Sequence, residues 1–326
     1  MNVLNKILNI AMTALFTLSL VSSTQAGAII AGFDHRTADS NDTLKAFASD
    51  GSQLWAVDAD NAKIGEIDPT TGKVIVAQGG TAVYTSADVS RHNAADGSQT
   101  GSNPAFNHGF GNTRGLAVHP TSSDVYVINA SAPSFAVHDV SAGTTTTLST
   151  SFNGQADAVL HHNSGEDVLF ILTGQTIKGY LVNDPPTTAT LARNSYPATG
   201  SAGTYENIAV YNDDIYALKA GNSPEVWKWN PSDQGAAPTQ VLSGASGYTY
   251  AVGLTFDNGG NMYIGDYGNG GDIYKYTPSG GTWGNQSLFV NDQVPEITWL
   301  KHVPEPSSLL LMAMAVVTLT GFLRRR

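Results

Sequence analysis

The 326-residue chain contains no cysteine. That excludes a disulfide framework, a thiol nucleophile and a thiolate metal site. Charge is scarce as well, since Asp, Glu, Lys and Arg together make up 13% of residues. A helical bundle and a disordered polyelectrolyte both need more. No GxSxG nucleophile elbow occurs, nor a GxGxxG following a strand, so the usual hydrolase and dinucleotide signatures are missing.

What is abundant is glycine, with 34 residues, alongside many Thr, Ser and Asn. These are turn-formers, and they are arranged periodically. The stretch from Gly253 to Phe289 breaks into four apolar runs, GLTF, MYIG, IYKY and SLFV. Asp257-Asn258-Gly259-Gly260, Gly268-Asn269-Gly270-Gly271 and Pro278-Ser279-Gly280-Gly281 separate them. Asn-Gly and Gly-Gly pairs accept the positive φ of tight hairpins, so the stretch reads as an antiparallel four-stranded meander. A single such sheet cannot bury its own faces.

Weaker copies recur at a spacing in the forties. Aligned on the second strand they read Gln53–Asp58, Asp124–Asn129, Asp167–Leu172, Asp214–Lys219 and Asn261–Asp266. Third-strand endings align at Ile67-Asp68-Pro69-Thr70, Trp229-Asn230-Pro231-Ser232 and Tyr276-Thr277-Pro278-Ser279. Such a repeat, with four strands per unit, predicts an all-β fold, a β-propeller of stacked blades. Six blades are expected, with five or seven left open; a β-sandwich or β-solenoid is the competing architecture. Residues 28–34 and 296–303 read as extra strands from the two termini that cooperate to close the ring. Residues 79–113 break the period and read as a long insertion on the same face as the candidate mouth.

Blade openings such as Arg114-Gly115-Leu116-Ala117-Val118, Asp157-Ala158-Val159-Leu160, Asn207-Ile208-Ala209-Val210 and Gly253-Leu254-Thr255-Phe256 resemble those of NHL-type and gluconolactonase-like propellers. The resemblance covers about residues 44–289 and specifies blade architecture, not an activity.

The two ends carry addresses. Residues 1–26 combine Lys6, an apolar run from Ile7 to Val21 and small residues through Ala26 and Ala28, the pattern of a secretory signal peptide cleaved after Ala26 or Ala28. At the other end Pro304-Glu305-Pro306 leads into an uncharged segment, 307–323, that is at the lower limit for a transmembrane helix, and Arg324-Arg325-Arg326 follows. That order resembles the PEP-CTERM sorting signal of Gram-negative bacteria. The resemblance implies processing by an exosortase, a host that makes extracellular polysaccharide, and residence at the cell surface or in a biofilm matrix. The inner membrane is then met only through the sorting signal before processing. The expected division is signal peptide 1–26, propeller 27–302 and sorting signal 303–326. Without Lys6, Glu305 and the three terminal arginines the exported part keeps 12 basic and 26 acidic residues, a net charge of −14. Such a surface repels nucleic acid and anionic membranes.

In a propeller meander the second-to-third turns and the blade-to-blade links converge on one face. Asp58, Asp60, Asn61, Asn129, Lys219, Asn222, Asp266, Tyr267, Asn269 and Asp272 are expected there, with Arg114, Asp157, Glu206 and Asn207 from blade openings. Arg114, Asp157, Glu206, Asn207 and Asp266 form the candidate ligand-binding mouth, suited to a sugar or to Ca²⁺ with oxygen ligands. The gluconolactonase resemblance implies a Glu, Asn and Asp metal set, for which Glu206, Asn207 and Asp266 have the right chemistry. His119 and His161-His162 fall on the opposite face and read as solvated turns, not a zinc site. Trp227, Trp229, Trp283, Trp299 and Tyr248-Thr249-Tyr250 suit either sugar stacking or blade packing. Three functions follow: a non-catalytic binding or scaffold module contacting matrix polysaccharide or a surface protein, a metal-dependent hydrolase or lactonase, and an adhesin using rim loops.

Overall fold

A computed structural model describes residues 27–303, except 34–41, 60–61, 79–87, 102–104, 111, 133, 150–156, 164–165, 174–175, 183–188, 197–204, 234–235, 269–270 and 292–296. The signal peptide, the sorting motif and the apolar segment 307–323 lie outside the described residues, as do Asp60, Asn61 and Asn269. No helix among the described residues is long and apolar enough to cross a membrane.

Short β-branched and aromatic runs between glycine turns give strands and, among the described residues, no helix. Blade 1 takes β1 (Ile29–Phe33), β2 (Thr43–Phe47) and β3 (Gln53–Asp58) from the N-terminus. Blade 2 is β4 (Ala62–Asp68), β5 (Lys73–Gln78), β6 (Asp88–Asn93) and β7 (Phe106–Asn107). Blade 3 is β8 (Thr113–Val118), β9 (Val125–Asn129), β10 (Ser134–Asp139) and β11 (Thr144–Ser149). Blade 4 follows with β12 (Asp157–Asn163), β13 (Glu166–Thr173), β14 (Thr176–Val182) and β15 (Ala189–Tyr196). Blade 5 has β16 (Tyr205–Tyr211), β17 (Asp214–Lys219), β18 (Glu225–Trp229) and β19 (Thr239–Leu242). Blade 6 has β20 (Ala251–Phe256), β21 (Met262–Asp266), β22 (Ile273–Ser279) and β23 (Thr282–Val290). The last strand, β24 (Ile297–His302), returns to blade 1 and pairs antiparallel with β1, Ile29 opposite His302. The fold is a six-bladed β-propeller in which β24, β4, β8, β12, β16 and β20 pack in succession around the axis.

Closure therefore joins three N-terminal strands to one C-terminal strand, as the two terminal strand readings anticipate. It also explains a phase error in the repeat alignment. Gln53–Asp58 aligns as a second strand yet is β3, the outermost strand of blade 1. Ile67-Asp68 aligns as a third-strand ending yet closes β4, the innermost strand of blade 2. Period-2 alternation looks alike on every strand of a blade, and blade 1 begins in the sequence at its second strand. The segment 79–113 likewise contains β6 and β7, third and fourth strands of blade 2. After β6, a third strand, residues 94–101 leave on the face opposite the mouth, not on the mouth face expected for the insertion. There Trp55 Nε1 on β3 donates to the Ala94 carbonyl at 2.9 Å.

The blades are glued by apolar side chains between their faces. Trp229 is buried between blades 4 and 5 with Phe170, Leu172 and Ile208, and Trp227 packs against that cluster, the blade-packing use of the pair. Trp299, on the closing strand, is fully buried and its Nε1 donates to the Ala62 carbonyl at 3.0 Å. Its ring occupies space that only glycine leaves open: a Cβ on Gly32 would lie 2.1 Å from Nε1, and one on Gly65 2.2 Å from Cη2. Trp299 is thus a wedge between blades 1 and 2, not a sugar platform.

Candidate functional site

First strands run from the mouth to the opposite face, so their opening residues gather around the mouth of the axis. Arg114 opens β8 and Glu206 opens β16, two blades apart, and their side chains approach to 4.0 Å. Tyr250 Oη donates to Glu206 Oε1 at 3.1 Å. Burial first, then the Glu206 carboxylate, pushes the Tyr250 hydroxyl up to about 12, so it remains a donor at ordinary pH. The Tyr267 ring meets Tyr250 edge-on, 6.2 Å between centroids. Tyr250 is 38% exposed, one of the few large hydrophobic side chains presented to solvent among the described residues.

Asp266 is buried and holds this corner in place. Its Oδ2 accepts the Thr249 amide and its Oδ1 the Tyr250 amide, both at 2.8 Å, and Oδ1 also faces the Gly268 amide at 3.2 Å. Three backbone donors on one carboxylate make a turn anchor.

Asp157 and Asn207 lie beneath the mouth, both buried. Asn207 Nδ2 donates to Asp157 Oδ2 at 2.6 Å, and the Ile208 amide donates to the same oxygen at 3.1 Å. Asn207 Oδ1 in turn accepts the Leu254 amide at 2.7 Å. The innermost strands of blades 4, 5 and 6 are thereby stitched together. Burial pushes the Asp157 carboxyl up to about 7, against the opposing pull of Lys301 and of the Ile208 and Ala158 amides. Lys301, from the closing strand, is buried and paired with Glu66 of blade 2 at 2.8 Å. Burial favours its neutral form, but the Glu66 and Asp157 carboxylates overcome that and its pKa is raised.

All five predicted mouth residues therefore belong to one connected corner, from Arg114 through Glu206 and Tyr250 to Asp266, and through the neighbouring Asn207 to Asp157. Tyr250 is the member that sequence reasoning noted only as a stacking aromatic. As a cation site the set Glu206, Asn207 and Asp266 is poorly poised, because Asn207 Oδ1 and both Asp266 oxygens already accept backbone N–H groups. A hard cation needs those lone pairs itself. Of the other expected mouth residues, Lys219 pairs with Glu225 of its own blade at 3.2 Å, and Asn129 Oδ1 accepts the Ser131 amide.

The opposite face carries a tighter cluster. His119, His162 and Asp167 bring three potential ligand atoms within 4.8 Å of one another. His119 Nε2 meets Asp167 Oδ2 at 3.0 Å, and His162 Nδ1 bonds the other carboxylate oxygen. His119 Nδ1 accepts the Ser122 amide at 3.1 Å and the Thr121 amide at 3.4 Å. An imidazole that accepts at Nδ1 carries its proton on Nε2, the atom a metal would need. The cluster is a clasp in which Asp167 of blade 4 holds His119 of blade 3. His119, His161 and His162 fall on this face as the sequence indicates, but His119 and His161 are buried, not solvated. Asp167, the missed partner, belongs to a visible pattern of Asp at second-strand starts, with Asp124 and Asp214.

The PEP-CTERM protein-sorting motif matches residues 302–326 of this chain. No curated protein matches it in sequence. Among solved structures, a chain from "Crystal structure of Nidogen/Laminin Complex" superposes with a TM-score of 0.58 at 10% identity, covering 86% of this chain and 98% of that one. Likeness at that identity carries the fold and no activity. The motif implies export, a membrane-anchored precursor and processing by an exosortase. The protein is a six-bladed β-propeller bearing a PEP-CTERM protein-sorting motif at its C-terminus.

Proposed function

We propose that this surface-sorted propeller is a non-catalytic binding or scaffold module whose mouth takes a neutral, hydroxyl-rich ligand, the carbohydrate of an extracellular matrix. One observation carries the reading. At the open mouth Glu206 is shared between Arg114 and Tyr250, beside the exposed Tyr250 ring and the half-buried Tyr267 ring. A guanidinium donor, a carboxylate acceptor and aromatic faces are the groups that bind sugar hydroxyls and stack on pyranose rings. The net charge of −14 on the exported part disfavours polyanionic ligands and leaves neutral glycans favoured.

The test is titration calorimetry of residues 27–303 with neutral polysaccharide from the producing cells, repeated for Glu206→Gln and Tyr250→Ala. Loss of a hydrogen bond to a charged group predicts a roughly 10- to 100-fold weakening. Failure of the folded wild-type domain to bind, or equal binding by both variants, sinks the reading.

A further inference from the structure

The sorting motif and the ring are joined without a spacer, and the join has a fixed position. β24 is the innermost strand of blade 1 and runs from the mouth to the opposite face. Its continuation, Val303, is buried, and its amide donates to the Ala28 carbonyl at 2.9 Å. Both chain ends therefore leave the ring together, beside the axis, on the face opposite Arg114 and Glu206. Only Pro304, Glu305 and Pro306 separate Val303 from the apolar segment 307–323. Three residues, two of them proline, span about 10 Å at most.

We propose that in the anchored precursor the face of the propeller opposite the mouth lies against the bilayer, with the mouth directed away from the membrane. The geometry follows from lever lengths. Four strands at about 4.8 Å spacing carry each blade roughly 14 Å outward from the innermost strand. A disc that wide, held near its axis by a tether of about 10 Å, meets the headgroups with its rim before its mouth can turn toward them. The acidic surface is repelled by anionic headgroups but only at short range, since a tether of about 10 Å lets the face settle near the screening length of about 8 Å at physiological ionic strength, where that repulsion is weakened. The membrane surface is the partner of this face, brought to it by the tether and not by an apolar patch. The inference rests on the surface-sorted reading but not on any ligand at the mouth.

The absence of native cysteine makes the test direct. Asn258 is exposed in the turn between β20 and β21, on the tether face, and Asn222 is exposed in the turn between β17 and β18, on the mouth face. Residues 27–326 carrying Asn258→Cys or Asn222→Cys are labelled with a fluorescent maleimide. They are then reconstituted in phosphatidylcholine vesicles containing a headgroup nitroxide lipid. Quenching at position 258 is expected to exceed that at 222 several-fold. Insertion of about 20 Gly/Ser residues between Val303 and Pro304, with an r.m.s. reach of about 25 Å, is expected to abolish the difference. Equal quenching at both positions in vesicle-bound protein overturns the orientation while leaving the sorting reading intact. Persistence of the difference with the spacer overturns the tether as its cause. Failure of the chain to associate with vesicles overturns both the orientation and the anchored precursor, and is read separately by flotation.

Discussion

A Cβ placed on Gly65 would lie 2.2 Å from Cη2 of Trp299, so the indole of the closing strand fills the space that a glycine of blade 2 leaves empty. Gly65→Ala forces either backbone or ring to move, and overpacking of this kind costs about 1–3 kcal/mol. Trp299→Ala leaves the opposite defect and costs about 3–5 kcal/mol. Gly284→Ala, where nothing lies within 4 Å of the added carbon, is the control. Urea unfolding midpoints are expected to fall for the first two and hold for the third. An unchanged midpoint for Gly65→Ala contradicts the wedge.

Asp157 gives the pH dependence of stability a definite sign. Its folded pKa, pushed up by burial to about 7, exceeds the ordinary value of 3.8. Between those limits the folded state keeps a proton that the unfolded state has released, so this group's contribution is present below about pH 4 and is lost as pH rises toward 7. The loss is on the order of a few kcal/mol. Unfolding of wild type and Asp157→Asn from pH 4 to 8 is expected to show the wild type losing ground to the variant up to about pH 7 and a constant difference above it. Parallel curves across the range contradict a raised pKa.

Buried Lys301 and half-buried Glu66 form an ion pair at the join between blades 1 and 2. Lys301→Met strands the partly buried Glu66 carboxylate and is expected to cost about 1–3 kcal/mol. The double variant with Glu66→Gln removes the stranded charge and is expected to recover part of that loss. A double variant no more stable than Lys301→Met alone shows that the pair is not the source of the effect.

The His119–Asp167 clasp predicts a negative result with zinc. Because Nδ1 of His119 is occupied by amides, micromolar Zn²⁺ is expected to leave the melting temperature of the propeller unchanged. His119→Ala is expected to lower stability by about 1–3 kcal/mol through the lost link between blades 3 and 4. A zinc-dependent rise that disappears in His119→Ala reverses the tautomer argument.

The exported protein is expected to begin at Gly27. Ala28 and Ile29 are buried, and the Ala28 carbonyl accepts from Val303. Cleavage after Ala28 would leave a charged amino group on a buried residue, which is costly. Intact mass or N-terminal sequencing distinguishes a Gly27 start from an Ile29 start.

Blades 3 to 6 are legible in the sequence because each is one contiguous run of strands punctuated by turn residues. Blade 1 is not, since its innermost strand lies at the far end of the chain, and blade 2, though contiguous, is misread in phase with it because alternation alone carries no phase. The mouth shows the same division. Topology put Arg114 and Glu206 on one face from their position at strand starts, and the structure brings them to 4.0 Å. It did not reveal that Asp157 and Asn207 would be consumed in stitching blades together, because the amides of Ile208 and Leu254 that engage them leave no mark in composition or spacing. Trp299 left a trace only in Gly32 and Gly65, which cannot be recognised until their partner, more than two hundred residues away, is in place.

The pairing of Ile29 with His302 has a consequence for biogenesis. The first blade to be synthesised lacks its inner strand until nearly all of the protein has been made, so the emerging chain must wait as an open arc. During that interval the faces that Trp299 and Leu300 later cover are exposed, and pairings between distant segments form slowly. Secretion of this protein should therefore depend on holding chaperones, and its yield should fall when translocation stalls before residue 297.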